Sequence, residues 1–199
     1  MNREERHYNF RSNQIEPYQQ GHLDNLCGLY ALINASCLAD RSISHDECID
    51  VFFEAIIWLN GKYKNCLAKG LDYSCLCSLH TNIFQKQWPT ISLHRPFWKN
   101  KPRNPKEYWS RMKEEASRPD QGMFIGIGGE MDHWSVVRKI TDTRIYLFDS
   151  DGRHYLPHRL SGPSLTDDPL YPIGPNYVLL LRKRKKTPTI TARQKFPSV

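Results

Sequence analysis

No stretch of this sequence approaches the ~18 consecutive apolar residues that a membrane-crossing helix needs. The first eleven residues, Met1 to Arg11, are polar and charged and hold no apolar core of signal-peptide length. These two absences predict a protein with no membrane span. They place it in the cytoplasm, or among proteins exported by a specialised secretion system without a signal peptide. Cysteine is sparse, with six residues at 27, 37, 48, 66, 75 and 77 in a chain of 199. That density, without a signal for an oxidising compartment, excludes a disulfide-built scaffold and predicts free thiols. There is no internal repeat, so a solenoid or propeller is excluded as well.

Charge is less evenly spread. The formal net charge is +7, and much of it sits in one run, Arg182 to Lys186, followed by Arg193 and Lys195. With the run set aside the body is nearly balanced, so a nucleic-acid-binding domain is not expected. The run reads as a solvated tail, with docking to an acidic surface as its sharper alternative. A length of 199 residues suits one domain, which buries roughly 70% of the surface its unfolded chain exposes. The expected organisation is a single domain over 1–183, opening with an irregular arm over 1–20, and a basic tail over 184–199.

Periodicity places helices first. Leu26 to Leu38 carries apolar residues at 26, 29, 30, 33 and 37, the spacing of an amphipathic helix, with Asp24 or Asn25 as its cap. A capping box, Ser44-His45-Asp46-Glu47, opens a second helix that reaches about Leu59, where Asn60-Gly61 stops it. A third helix is expected from Asp72 to about Gln87. After a strand in 90–97 and a helix capped by Asn104 with Pro105 at its first position, the chain turns to β: "GMFIGIGG", "HWSVVRKI", "TRIYLFDS" and "YVLLLRK". Pro and Gly crowd 157–176, which reads as a long surface loop. Helices followed by an antiparallel sheet make an α+β domain.

One cysteine stands apart. Cys27 sits at the mouth of the first helix, where N–H groups and the macrodipole favour the thiolate, the nucleophilic form. Gly28 leaves room for a substrate backbone beside the sulfur. Among eight histidines, His133 opens a strand directly after the bendable segment "GIGGEMD", which makes Gly129 a candidate substrate contact; Trp134, next to His133, is either a substrate contact or packing. A turn at Thr141-Asp142-Thr143 that pairs 140 with 144 sets 135 opposite 149 and 133 opposite 151. His133 and Asp149 then share a face as diagonal neighbours, and the carboxylate can orient the imidazole. Asp151 shares that parity as a reserve, and a one-residue bulge would break the argument for both. An oxyanion needs donors. The Cys27 N–H supplies one, and Gln20, Gln19 or Asn25 is placed to supply another.

Metal chemistry is not expected. Cys66, Cys75, Cys77 and His80 lack the close pairing zinc favours, and Cys75 and Cys77 on one helix point to roughly opposite sides. The glycines of Gly126-Ile127-Gly128-Gly129 precede a strand rather than a helix, so they form no phosphate loop. No cofactor is implied.

"LCGLYALINA" with Gln upstream, and much later "HWSVVRK" followed by Asp149, resembles the papain-like cysteine peptidase superfamily. The josephin-type deubiquitinases and the bacteriocin-leader-processing peptidase domains are the most similar-looking branches. The SUMO-protease group is similar in its His and Asp segments, but there the cysteine follows them. The resemblance rests on about 30 residues. It implies a papain-like fold, an N-terminal helical lobe carrying the Cys packed on a C-terminal antiparallel sheet carrying His and Asp. It also implies roles: Cys27 as nucleophile, His133 as general base and acid, Asp149 as orienter and Gln20 as oxyanion donor. The expected activity is thiol hydrolysis of an amide, peptide or isopeptide bond through a thioester, with a protein or peptide as substrate. A glutamine deamidase or transglutaminase-type bacterial effector or toxin, with an inhibitor or immunity protein as partner, is the alternative. A catalytically silent binding module on the same scaffold is the second.

Overall fold

The computed structural model describes residues 16–21, 24–63, 66–163 and 169–184, the side chain of Leu67 excepted. Its helices are α1 (Cys27–Ala39), α2 (His45–Lys62), α3 (Cys66–Lys69), α4 (Tyr73–Leu79), α5 (Gln85–Gln87) and α6 (Pro105–Ala116). A π-helical stretch, His80–Phe84, joins α4 to α5. The strands are β1 (Ile91–His94), β2 (Gln121–Ile127), β3 (His133–Ile140), β4 (Arg144–Leu147), β5 (Tyr155–Pro157), β6 (Ser161–Gly162), β7 (Tyr171–Pro172) and β8 (Val178–Lys183). Six of them form one sheet in the order β1-β8-β2-β3-β4-β5, antiparallel at every pairing. The architecture is α+β.

Strand alternation divides the core. Phe124, Trp134, Val136, Phe148, Leu179 and Leu181 pack with α1, α2 and α4. Their neighbours in sequence, Met123, Ile125, Val137, Leu147, Val178 and Leu180, pack with Tyr108 and Met112 of α6 and with Phe97. Both faces of the sheet are therefore covered, and the helical layer carrying Cys27 has a counterpart in α6 on the far side. Because successive strand side chains point oppositely, apolar runs such as "VLLL" in β8 are required here rather than strict alternation.

α1 departs from the amphipathic reading. It is buried nearly all round, from Gly28 through Ala39, with only Cys27, Tyr30 and Leu38 partly exposed. A helix enclosed on every side must satisfy its polar residues internally. Asn34 exchanges two hydrogen bonds with the Tyr18 backbone, at 2.8 and 3.1 Å, and the Ser36 hydroxyl donates to the Leu32 carbonyl at 2.8 Å. The Tyr18 contacts fasten part of the N-terminal arm to the fold; residues 1–15 lie outside the described part. The expected cap is also different. The N-cap is Leu26, with no side-chain cap, because Asp24 bonds the Gly21 and Leu26 N–H groups and the Asn25 amide donates to the Ala68 carbonyl.

The caps expected at Ser44 and Asn104 match the sequence reading. Ser44 and Glu47 form the capping box of α2, although that helix continues through Gly61 to Lys62. Asn104 caps α6 with Pro105 in the first turn; Asp72, expected as the start of the third helix, is instead the N-cap of α4. The third helix loosens where Thr81 and Asn82 side chains bond the Cys77 and Ser78 carbonyls, an alternative to regular helix bonding.

Two more expectations change. The segment 157–176 is no mere surface loop: it contains the β6–β7 pair, and Ile173 is buried in the α6-side core. Residues 164–168 within it lie outside the described part. Arg182 and Lys183 do not belong to a solvated run. They lie in β8, where Arg182 pairs with Glu115 and Lys183 with Asp40; residues 185–199 of the expected tail lie outside the described part.

Candidate functional site

The β3–β4 hairpin positions the site in an unexpected way. At its turn Ile140 faces Ile145, one residue off the expected 140-to-144 pairing, and the register then shifts between Val137 and Lys139. The two departures cancel. Val137 faces Leu147, and the Phe148 N–H reaches the Val136 carbonyl at 2.8 Å, which is the register that sets His133 and Asp149 on one face. The bulge, far from breaking that pairing, restores it.

His133 is the first residue of β3 and is followed by Trp134 on the opposite side of the strand. Its Nε2 lies 2.8 Å from Asp149 Oδ2. With Nε2 so engaged, Nδ1 is the other ring nitrogen, and Cys27 lies near enough to the ring to raise its pKa. The Trp134 backbone N–H points at Cys27 Sγ from 3.5 Å. Cys27, His133 and Asp149 are thus brought together, although more than a hundred residues of sequence separate the cysteine from the other two.

Asp149 is 2% exposed and fully engaged. Ser135 donates its hydroxyl to Oδ2, while the N–H groups of Asp151 and Arg153 bond Oδ1 at 2.9 and 3.3 Å. Asp151, the reserve carboxylate, is exposed and contributes only its backbone. Burial disfavours charge on Asp149, but hydrogen bonds from His133 and Ser135 outweigh it and hold the carboxyl below the usual carboxylate range. Burial likewise disfavours a charged His133. The bonds to Asp149 and Cys27 overcome it and raise the imidazole pKa to about 10. The raised value favours the imidazolium form of the ring at neutral pH, a cation beside the Cys27 sulfur at a helix mouth.

The sequence offers three upstream amides as oxyanion donors, and their bonding separates them. Gln19 donates its amide to the Asp149 carbonyl at 3.0 Å. Asn25 donates to Ala68. Gln20 is held by its backbone N–H on the Ser150 carbonyl at 2.9 Å, next to Asp149. Its side-chain amide bonds nothing among the described residues, and its Oε1 is enclosed without a partner. Of the three, Gln20 alone has a side-chain amide left over for a ligand.

An open cleft of ≈ 680 Å³ runs beside His133 and Trp134, walled by Tyr73 and Tyr177 and floored in part by Gly126 and Gly128. Trp134 is 8% exposed, and its indole donates to the Leu71 carbonyl at 2.9 Å, so it is both packing and cleft wall. Gly28 is not open to a substrate. A Cβ there would lie 2.9 Å from Leu76 and 3.3 Å from Trp134, so the missing side chain lets α1 close against α4. Gly129 also turns inward: it adopts φ +70° with a Cβ position 2.8 Å from the Leu170 carbonyl, shaping the turn into β3 without lining the cleft. Sequence reasoning missed Ser135, though its parity with His133 and its expected partner at 149 were signals. It also missed Tyr73 and Tyr177, for which no local pattern exists.

Among the described residues no group of three metal-binding side chains could hold an ion, and no helix is long and apolar enough to cross a membrane. Compared with protein families, with curated proteins and with solved structures, the chain matches none.

Proposed function

We propose that this α+β domain is a papain-like thiol hydrolase that cleaves an amide, peptide or isopeptide bond of a protein substrate. The observation that carries the reading is the His133 ring bonded through Nε2 to a buried carboxylate, with the partly exposed Cys27 thiol beside it and under the Trp134 N–H. In this mechanism Cys27 sulfur attacks the carbonyl carbon and the carbonyl electrons move to oxygen. The Cys27 N–H, in the first turn of α1, and the Gln20 amide receive that oxyanion. His133 gives its proton to the leaving amine as the carbon–nitrogen bond breaks, leaving a thioester. The neutral ring then takes a proton from water as the water oxygen attacks the thioester; the carbon–sulfur bond breaks, releasing the acid and restoring the thiolate beside the imidazolium. Asp149 keeps the ring oriented and offsets its charge throughout. An open cleft suits an extended chain more than a small metabolite.

The test is thiol reactivity. Near neutral pH, iodoacetamide and an electrophilic peptide probe should modify Cys27 ahead of Cys37, Cys48, Cys66, Cys75 and Cys77, read by peptide mass spectrometry. His133→Ala should remove that advantage. Equal modification of all six thiols, or a Cys27 rate indifferent to His133→Ala, sinks the proposal.

A further inference from the structure

From the last residue of β1 into the first turn of α6, thirteen residues, His94 to Lys106, hold no acid. Arg95, Lys99, Lys101, Arg103 and Lys106 are all exposed, and none forms an ion pair among the described residues. The near-balance of charge along the sequence hid this local excess. The segment is also held in place. Phe97 is buried beneath it, and Arg111 lies 4.6 Å over the Phe97 ring while donating to the Pro96 and Asn100 carbonyls at 2.9 and 2.7 Å.

Arg95 is the best-positioned of these cations. Its guanidinium lies 5.2 Å from the Tyr73 ring and 5.3 Å from that of Trp98, which is 56% exposed. Its one side-chain hydrogen bond goes to Cys77 Sγ at 3.3 Å, leaving most of the five donors of the fork uncommitted. Arg95 borders a second hollow of ≈ 460 Å³, lined by Ser74, Ser78, Thr81 and Asn82. Tyr73 and Ser74 belong to this hollow and to the cleft beside His133 alike. One shared wall separates a fixed, unpaired guanidinium from the candidate reacting centre.

We propose that this hollow and the basic segment 94–106 form a subsite for an acidic segment of a polypeptide, whose carboxylates meet the Arg95 fork while neighbouring acids lie along Lys99 and Lys101. A planar fork held between rings matches a carboxylate in two-point geometry. The spread of cations over a whole segment suits a chain of acids better than one small anion. That the bound segment belongs to a substrate rests on the proposed thiol chemistry; the binding itself does not.

The experiment uses the Cys27→Ala chain and a fluorescein-labelled oligoglutamate peptide, read by fluorescence anisotropy. Binding should saturate, weaken as salt rises, and fall about tenfold or more in Arg95→Ala, with Arg95→Lys intermediate. Lys99→Ala with Lys101→Ala, on the exposed turn, should weaken it severalfold without touching the hollow, and thermal melting by circular dichroism checks that each variant is folded. Unchanged affinity in folded Arg95→Ala, equal binding of oligoglutamine, or displacement by inorganic phosphate at matched charge and ionic strength overturns the subsite. Since Cys27 is absent from this assay, such a failure leaves the thiol reading standing, whereas binding together with an unreactive Cys27 in the wild type marks the thiol reading as the one that fails.

Discussion

Replacing Asp149 by Asn keeps the shape of the side chain and removes its charge, a change that separates the hydrogen bonds of the turn from the electrostatics of the ring. Oδ1 still accepts from the Asp151 and Arg153 N–H groups, so the 149–153 turn should survive. The charge facing His133 and Ser135 is lost. A hydrogen bond to a charged group contributes about 1.5–3 kcal/mol, or roughly one to two pKa units. The His133 pKa of about 10 should therefore fall by that amount or more, because burial then acts with less opposition. The two shifts stabilise the fold over different pH ranges. A raised imidazole pKa stabilises the fold fully below 6.5, and the effect disappears as pH rises through about 10. The depressed Asp149 pKa stabilises above its ordinary value of 3.8, and the effect is lost as pH falls through the lower folded value. Wild type should thus exceed Asp149→Asn by about 1.5–3 kcal/mol in urea unfolding near neutral pH, with the gap closing at strongly acid pH and again above the His133 pKa. Nuclear magnetic resonance titration of the His133 ring measures the first quantity directly. A His133 midpoint that does not move in Asp149→Asn, or a stability gap that persists unchanged above it, refutes the reasoning.

Gln20→Ala should lower kcat about 10²–10³-fold on a protein that the wild type turns over, while iodoacetamide modifies Cys27 at nearly the wild-type rate, since alkylation develops no oxyanion; equal losses in both would mean that Gln20 acts on the thiol instead. Gly122→Ala places a Cβ 2.0 Å from the Ala35 carbonyl oxygen, so α1 must move off β2, and urea unfolding should show a loss of about 3 kcal/mol or more. Tyr108→Phe removes the buried hydroxyl that donates to the Ile173 carbonyl at 2.8 Å; it should cost about 1–3 kcal/mol and raise amide exchange in 169–174, a segment that borders the cleft.

Much of the candidate site was legible in the sequence because its signals are local. A cysteine at the start of an apolar helical stretch, a histidine opening a strand and an aspartate closing the next one can each be read within a dozen residues. Caps were legible at Ser44 and Asn104 for the same reason, since a capping side chain bonds an amide three residues on. The Leu26 cap was not, because Asp24 and Asn25 had acceptors and donors elsewhere in the chain. The hairpin register shows how a correct result can rest on an incomplete picture: turn offset and bulge are separate local events, and periodicity of two sees only their net effect.

The sequence by itself determined that helices precede an antiparallel sheet and which thiol, ring and carboxylate could meet, because period, caps and turn residues act over a few neighbours. Only the tertiary structure decided that α1 is enclosed on all sides, that Gly28 serves packing, that Gln20 rather than Gln19 or Asn25 keeps a free amide, and that Arg95 lies between two rings with no acid partner among the described residues. Those outcomes depend on which distant groups compete for the same hydrogen bond or the same space, and that competition has no trace in local order along the chain.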